Sequence, residues 1–262
     1  MSNNQKLLFQ LMMDFYRTTT DGEGRSKIYG RMGHLVRKVH KAIDKQATIK
    51  TQVQQLLYLV YEEWGFYCDD ERYFLSDNLY LDQVLESKSG MPVSLGAIIL
   101  YLAESLQLPI YPMNFPTQLV LRVDLEEEIL FIDPWDGKFI SRSLLATWFE
   151  GYLGFGHKML TKDLACAKSE ELRDRFNQVA KMALIREERY SEALGFITHL
   201  LRHNPEDPYE IRDRGLVLAH MECLHAAIPD LSYFIEHCPD DPTAVLLMAQ
   251  MSELKEQQYP LH

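Results

Sequence analysis

The feature that most constrains this chain is an internal repeat in its C-terminal part. The run RHNPEDP, ending at Pro208, returns 34 residues later as EHCPDDP, ending at Pro242. Sliding one copy onto the other pairs His203 with His237, Pro205 with Pro239, Asp207 with Asp241, Ala193 with Ala227 and Leu201 with Ile235. Units of this length are helix pairs that cannot bury their apolar face alone, so neighbours must stack. The repeat predicts an all-α region over 161–262, with Pro205 and Pro239 ending second helices. Pro229 is expected to start or kink the helix that contains it. Two copies and a partial third, about 242–254, fall short of the roughly three that a free-standing array needs, so one end is expected to pack on the first half.

The period is similar to that of the tetratricopeptide repeat. In that frame Ala193 and Ala227 take the small position where two helices touch, and Gly215 takes the small position of a first helix. Asn177 and Ile211 depart from the pattern, which has Trp there. The resemblance implies a concave groove for a protein or peptide partner, with Arg175, Gln178, Arg186, Tyr209, Arg212 and His220 directed toward it. The alternative is a groove filled by the first domain. His199 and His203 stand four apart on a predicted helix, but no third ligand accompanies them, so a solvated face is expected and no metal.

Charge and cysteines narrow the function classes. Of 262 residues, 27 are Lys or Arg and 38 Asp or Glu, a net charge of −11. Cutting at 165 leaves 17 basic against 21 acidic residues before the cut and 10 against 17 after it. Both halves are acidic and no basic patch is read, so a nucleic-acid partner is not expected. The four cysteines, 68, 166, 223 and 238, form no C-x-x-C and no regular spacing, which argues against a disulfide framework or a zinc ribbon and fits a reducing cytoplasm. The longest apolar stretch, Met91 to Ala103, is well short of the roughly 20 residues a membrane span needs. The N-terminal run lacks a basic region before its apolar residues and reads as mature protein. No cofactor is implied.

The first half mixes periods. Residues 5–17 and 48–65 carry apolar positions at helical spacing, and the Asp21–Gly24 run between them reads as a surface turn. Pro92 suits the first turn of a helix that continues through Leu95, Ile98, Ile99, Leu102 and Leu106 and ends before Pro109. Three strand-like stretches come next, Ile110–Met113, Gln118–Val123 and Ile129–Asp133, the last two joined by the acidic turn 124–128. The aromatic cluster of Trp64, Phe66, Tyr67, Tyr73, Phe74 and Tyr80 is expected to fill a core.

A helix followed by strands with polar edge residues is the order in which papain-like and transglutaminase-like folds present Cys, His and Asp. A thiolate is favoured at a helix N-terminus, a neighbouring His takes its proton, and an acid orients the imidazole. The runs LSDNLYLDQVLESKSGMPVSLGAIILYLAESLQLP (75–109), NFPTQLVLRV (114–123), LFIDPWDG (130–137) and NPEDPYEIRDRG (204–215) stand in the order and spacing of one bacterial family. Over nearly its whole length the sequence resembles SirB-type proteins, a transglutaminase-like domain followed by tetratricopeptide repeats. The resemblance implies an α+β fold. A helical lead-in, about 1–66, and a papain/transglutaminase-like core of a helix plus an antiparallel sheet, about 67–160, precede the all-α repeats.

Carried over residue by residue, the catalytic motif fails. Where the superfamily opens its helix with G-x-C, this chain has Gly90-Met91-Pro92, so Pro92 stands at the thiol position. Gln118 stands at the histidine position and Asp133 at the acid position. Proline has no nucleophile and an amide does not accept a proton at useful pKa. Ser94 reads as a first-turn residue bonding local backbone. Cys68 lies among aromatics with acids beside it, which raises a thiol's pKa. Asp133, before Pro134, reads as a turn residue.

Two functions remain. The first is a non-enzymatic interaction protein that has lost its Cys and His and binds through a short repeat arm. The second is a divergent cysteine or serine hydrolase or acyltransferase using Cys68 or Ser94 with Asp133.

Overall fold

The structure is a computed structural model and describes residues 4–258. The outer ends of the two domains read from sequence, 1–3 and 259–262, lie outside the described residues. In chain order the first part holds α1 (Leu7–Thr19), α2 (Arg25–Ala42), α3 (Ile49–Tyr58), β1 (Tyr67–Cys68), α4 (Leu81–Ser87), β2 (Ser89–Gly90) and α5 (Pro92–Ser105). Then come β3 (Ile110–Asn114), β4 (Leu119–Asp124), β5 (Ile129–Ile132), β6 (Phe139–Ile140) and α6 (Arg142–Leu153). The repeat part holds α7 (Ser169–Arg186), α8 (Tyr190–Leu201), α9 (Pro208–His220), α10 (Leu224–His237) and α11 (Pro242–Gln258).

The hydrophobic effect organises the first part around α5. Pro92 pre-sets its first turn, and eleven of its residues, from Pro92 to Ala103, are buried, each large apolar side chain contributing about 1.5–3 kcal/mol. β3 to β6 form a four-stranded antiparallel meander in which Ile110 pairs with Val123 and Leu121 with Ile132. A Cβ on Gly96 would lie 2.5 Å from Leu119 Cδ2, so a glycine there lets α5 lie close on β4. Val120, with Met113, Phe131 and Ile140, packs instead against Leu145 and Phe149 of α6. β4 is therefore apolar on both faces, which explains why Val120 interrupts the alternation.

Three helices of this part, α2, α4 and α6, escape the periodicity reading. α6 lies in the stretch after the strands, where the sequence shows no clear period, and α2 falls in the segment that begins with the surface turn. Yet α2 buries Ile28, Met32, Leu35 and Val39, one stripe at i, i+4, i+7 and i+11. It also overturns the reading of the charge. Over its 18 residues it carries Arg25, Lys27, Arg31, Arg37, Lys38 and Lys41, two histidines and no acid. Averaging charge over halves of an acidic chain concealed this basic helix.

By packing, the chain divides into residues 1–17 with 22–180 and residues 18–21 with 181–262. The first unit thus runs to Ala180, beyond the sequence boundary at 160. Backbone and side-chain bonds tie the intervening segment back. The Ala167 N–H donates to the Pro112 carbonyl (2.8 Å), Arg122 donates to the Leu164 carbonyl (2.8 Å), and Ser169 donates to Asn4 Oδ1 (2.9 Å).

The second unit has the repeat geometry. Ala193 and Ala227 are fully buried, and a Cβ on Gly215 would lie 2.9 Å from Leu231 Cδ2, as close helix contacts require. α10 does not start at Pro229 but five residues earlier, at Leu224, and runs through it. Lys181 is buried and paired with Glu210 (2.7 Å) and Asp213 (2.5 Å), while Arg212 donates two bonds to Asp213. A buried ammonium without such carboxylates would cost several kcal/mol.

Candidate functional site

The position where a transglutaminase-like fold places its chemistry lies at the N-terminus of α5. Here Pro92 opens the helix, and Ser94 is fully buried. Its Oγ accepts from the Met91 N–H (3.0 Å) and donates to the Met91 carbonyl (3.1 Å). The hydroxyl is thereby engaged as donor and as acceptor on local backbone.

The strands bring Gln118 and Asp133 together. Gln118 Nε2 donates to Asp133 Oδ1 at 3.0 Å, and the Trp135 N–H donates to the same oxygen at 2.8 Å. The backbone of Asp133 closes the following turn, since the Gly137 N–H donates to its carbonyl (2.8 Å). Gly137 has φ +72°, and a Cβ there would lie 2.3 Å from the Tyr61 ring. Burial raises the Asp133 carboxyl above its ordinary range, with the Trp135 N–H and the Gln118 amide pulling the other way.

Three further residues complete the site, and two of them were missed from sequence. Tyr61 comes from a π-helical turn, Leu59–Glu63, that continues α3. Such turns are rare inside helices and recur at functional sites. Tyr61 donates to the Pro134 carbonyl at 2.5 Å. Tyr73 stacks on Trp135, with centroids 5.4 Å apart and planes at 25°. Cys68 is delivered by the two-residue parallel pairing of β1 with β2, opposite Gly90 and two residues before α5 begins. Burial pushes its thiol well up, and the carboxylates of Asp133, Asp136 and Asp70 push it further. Tyr61 and Tyr73 are raised as well, chiefly by burial.

The chemistry is set by these donors. A thiol surrounded by carboxylates carries little thiolate at neutral pH, and a glutamine amide has no basic nitrogen to take its proton. The site gathers an amide bonded to a carboxylate, rimmed by tyrosine and tryptophan, with the Cys68 thiol in the strand beside the entrance to α5.

Of the six aromatics expected in a core, only Phe66 and Tyr80 are buried; Tyr67 and Phe74 are exposed, and Tyr73 serves the site. Arg175 and Gln178 fall in the first unit, and the Arg175 guanidinium bonds to Asn114 Oδ1 and to the Phe115 carbonyl. That commits its donors to the end of β3. Arg186, Tyr209, Arg212 and His220 fall in the second unit. Arg186 is exposed, His220 stacks on Tyr190 at 5.0 Å, and Tyr209 donates to Asp241 (3.3 Å). The Arg212 guanidinium lies over the Tyr209 and Phe234 rings at 5.3 and 5.1 Å. His199 and His203 meet edge to face at 5.1 Å, and no group of three or more metal-binding side chains occurs among the described residues. Among them, too, no helix is long and apolar enough to cross a membrane.

A helix-plus-meander core followed by stacked helix pairs defines a transglutaminase-like protein with a tetratricopeptide arm. Residues 26–178 match the family profile of the transglutaminase-like superfamily, and 180–252 match a tetratricopeptide repeat. The chain is 54% identical to a UPF0162 protein of Pasteurella multocida and 48% identical to one of Haemophilus influenzae, in each case over 98% of both chains. It is 40% identical to Protein SirB1 of Salmonella typhimurium, over 90% of this chain and 88% of that one. The chain belongs to this SirB1 and UPF0162 family of transglutaminase-like proteins. No solved structure matches it.

Proposed function

We propose that this protein acts by binding and not by acyl transfer: its transglutaminase-like site has lost the Cys and His of the superfamily, and its repeat arm receives a protein or peptide. The observation that carries the reading is the Gln118–Asp133 hydrogen bond at 3.0 Å. An amide bonded to this acid supports the reading, because acyl transfer by a triad needs an imidazole between nucleophile and acid. The closure of Ser94 on Met91 and the upward shift of the Cys68 thiol support the same reading. For the arm, Arg186, Tyr209 and His220 are the proposed partner-facing residues, with Arg212 held against Tyr209, while Gln178 lies in the first unit. Arg175 serves instead to tie α7 to β3.

One observation bears on the divergent-hydrolase reading: β1 pairs Cys68 with Gly90, just before α5, which sets a thiol beside the entrance to that helix. Iodoacetamide and a fluorophosphonate probe, applied to native and to urea-unfolded protein, separate the two readings. The expected result is that Cys68 is alkylated only after unfolding and that Ser94 is never labelled. Rapid native labelling of either residue, with turnover of a peptide amide or an ester, would overturn the binding reading.

A further inference from the structure

The basic helix α2 does not lie on a flat surface. Between it and α4 is a cleft of about 620 Å³, within the size range of small-ligand sites. Lys27, Gly30, Arg31 and His34 line it from α2, and Glu86 and Lys88 from the end of α4, over the apolar floor of Leu35 and Leu85.

Charge in the cleft is out of balance. Glu86 is its sole acidic wall residue among the described residues, and one oxygen, Oε2, serves both Arg31 (2.9 Å) and Lys27 (3.7 Å). Arg31 also donates to the Asp82 carbonyl (3.2 Å), which fixes its guanidinium. Lys88 has no carboxylate partner among the described residues; its amine donates to the Leu85 carbonyl (3.0 Å) and lies 4.5 Å from the centre of the Phe66 ring. Burial, then the charges of Arg31 and Lys38, push that amine down from its ordinary value. The cleft thus sets Lys27, Arg31, Lys88 and His34 against the single carboxylate of Glu86.

Two backbone features point the same way. Lys88 is the C-cap of α4 and adopts φ +65°, a left-handed conformation that glycine takes more easily, yet a lysine stands there with its side chain lining the cleft. Gly30 lies in mid-helix, where glycine costs about 1 kcal/mol relative to alanine, yet a Cβ on it would meet nothing within 4 Å. No internal contact requires that glycine, and its absent side chain leaves the helix backbone open toward the cleft it lines.

We propose that the cleft between α2 and α4 binds the phosphate group of a small phosphorylated ligand, held by Lys27, Arg31, His34 and Lys88. Planar guanidinium and ammonium donors around one concavity suit a phosphate monoester or diphosphate. Arg37 and Lys41 lie on the same helix but do not line the cleft, which favours a compact anion over a polymer that would track the whole basic face.

The test is calorimetric titration of the full chain with inorganic pyrophosphate at constant ionic strength. Saturable binding is expected. Lys27→Gln with Lys88→Gly should weaken it about tenfold or more, since each lost charged hydrogen bond is of the order of a decade in affinity. Arg37→Gln with Lys41→Gln should leave it within about twofold if the cleft and not the helix face binds. Absence of saturable binding, or equal weakening by both pairs, would overturn the proposal. So would tighter binding of a single-stranded oligonucleotide that depends on Arg37 and Lys41, because the surface would then be a polymer track. Sedimentation with phosphatidylcholine vesicles containing phosphatidic acid identifies the source. Dependence of sedimentation on Lys27 and Lys88 assigns the phosphate to a lipid headgroup, and retention in solution with pyrophosphate binding assigns it to a soluble ligand; either supports the site.

Discussion

Two places in the first unit handle charge in opposite ways. At the entrance to α5, Asp133 is held by neutral donors, the Trp135 N–H and the Gln118 amide, and Ser94 and Tyr61 spend their hydroxyls on backbone carbonyls. In the α2–α4 cleft, Lys27 and Arg31 share one carboxylate, and Lys88 bonds only to a backbone carbonyl among the described residues. The first place resembles a reaction centre by its position in the fold, but Ser94, Tyr61 and one oxygen of Asp133 are engaged by hydrogen bonds within the chain. The second has no place in the superfamily's catalytic motif, yet it retains unspent electrostatic potential. Position inherited from a fold and capacity to bind are thus separable, and it is the balance of donors, acceptors and charges that reports the latter.

The largest expected effect breaks the satisfied side of this contrast. Gly137→Ala would put a methyl into the Tyr61 ring at a left-handed backbone position and should destabilise the protein by about 2–4 kcal/mol. Urea unfolding measures it, and a loss under about 0.5 kcal/mol would show that the turn beside Asp133 is loosely held.

A smaller effect tests the charge itself. The folded-state carboxyl of Asp133 is raised, so the folded protein binds a proton more readily than the unfolded chain. Its contribution is present below the unfolded-state value, near 3.9 for aspartate, and is lost as pH rises through the raised value. Asp133→Asn keeps an acceptor for Trp135 and Gln118 while removing the desolvated charge. At pH 7 the variant should be as stable as the natural chain or up to about 1 kcal/mol more so, with the difference shrinking as pH falls through the carboxylate range. Thermal unfolding across that range is the measurement. A loss of several kcal/mol at pH 7 would mean that the carboxylate is required in charged form, as a reaction centre would require.

The smallest effect concerns the other side. Lys88→Gly removes an amine and its contact with Phe66 but relieves the left-handed backbone, so stability should change by less than about 1 kcal/mol. A change that small, read by urea unfolding, keeps the pyrophosphate titration free of folding artefacts. A larger loss would make Lys88 a structural cap and sharpen the comparison against the cleft.

How much of this was legible in the sequence differs by element. Pro92 with the stripe Leu95, Ile98, Ile99 and Leu102 marked α5, and the alternation of Leu119, Leu121 and Val123 marked β4, because long elements repeat a period several times. The family resemblance singled out Gln118 and Asp133, and in the structure the two side chains are hydrogen-bonded. Tyr61 and Tyr73 were not legible as site residues. The first depends on a π turn and the second on a stacking partner 62 positions away, neither of which leaves a periodic trace. Nor does a two-residue strand such as β1, so the placing of Cys68 beside Gly90 had to await tertiary structure. α2 was missed for another reason. The segment after residue 17 was read only as far as its Asp21–Gly24 surface turn, although Ile28, Met32, Leu35 and Val39 carried the helical period.

Lys88 links the end of a helix to the rim of a cleft, and this has a consequence for how the family diverges. Because glycine suits that backbone better, a lineage released from the need for a ligand would lose the amine at little cost in folding. Relatives with glycine at this position are then natural experiments. They should fold as this chain does and ignore pyrophosphate, and a lysine restored there should bring recognition back.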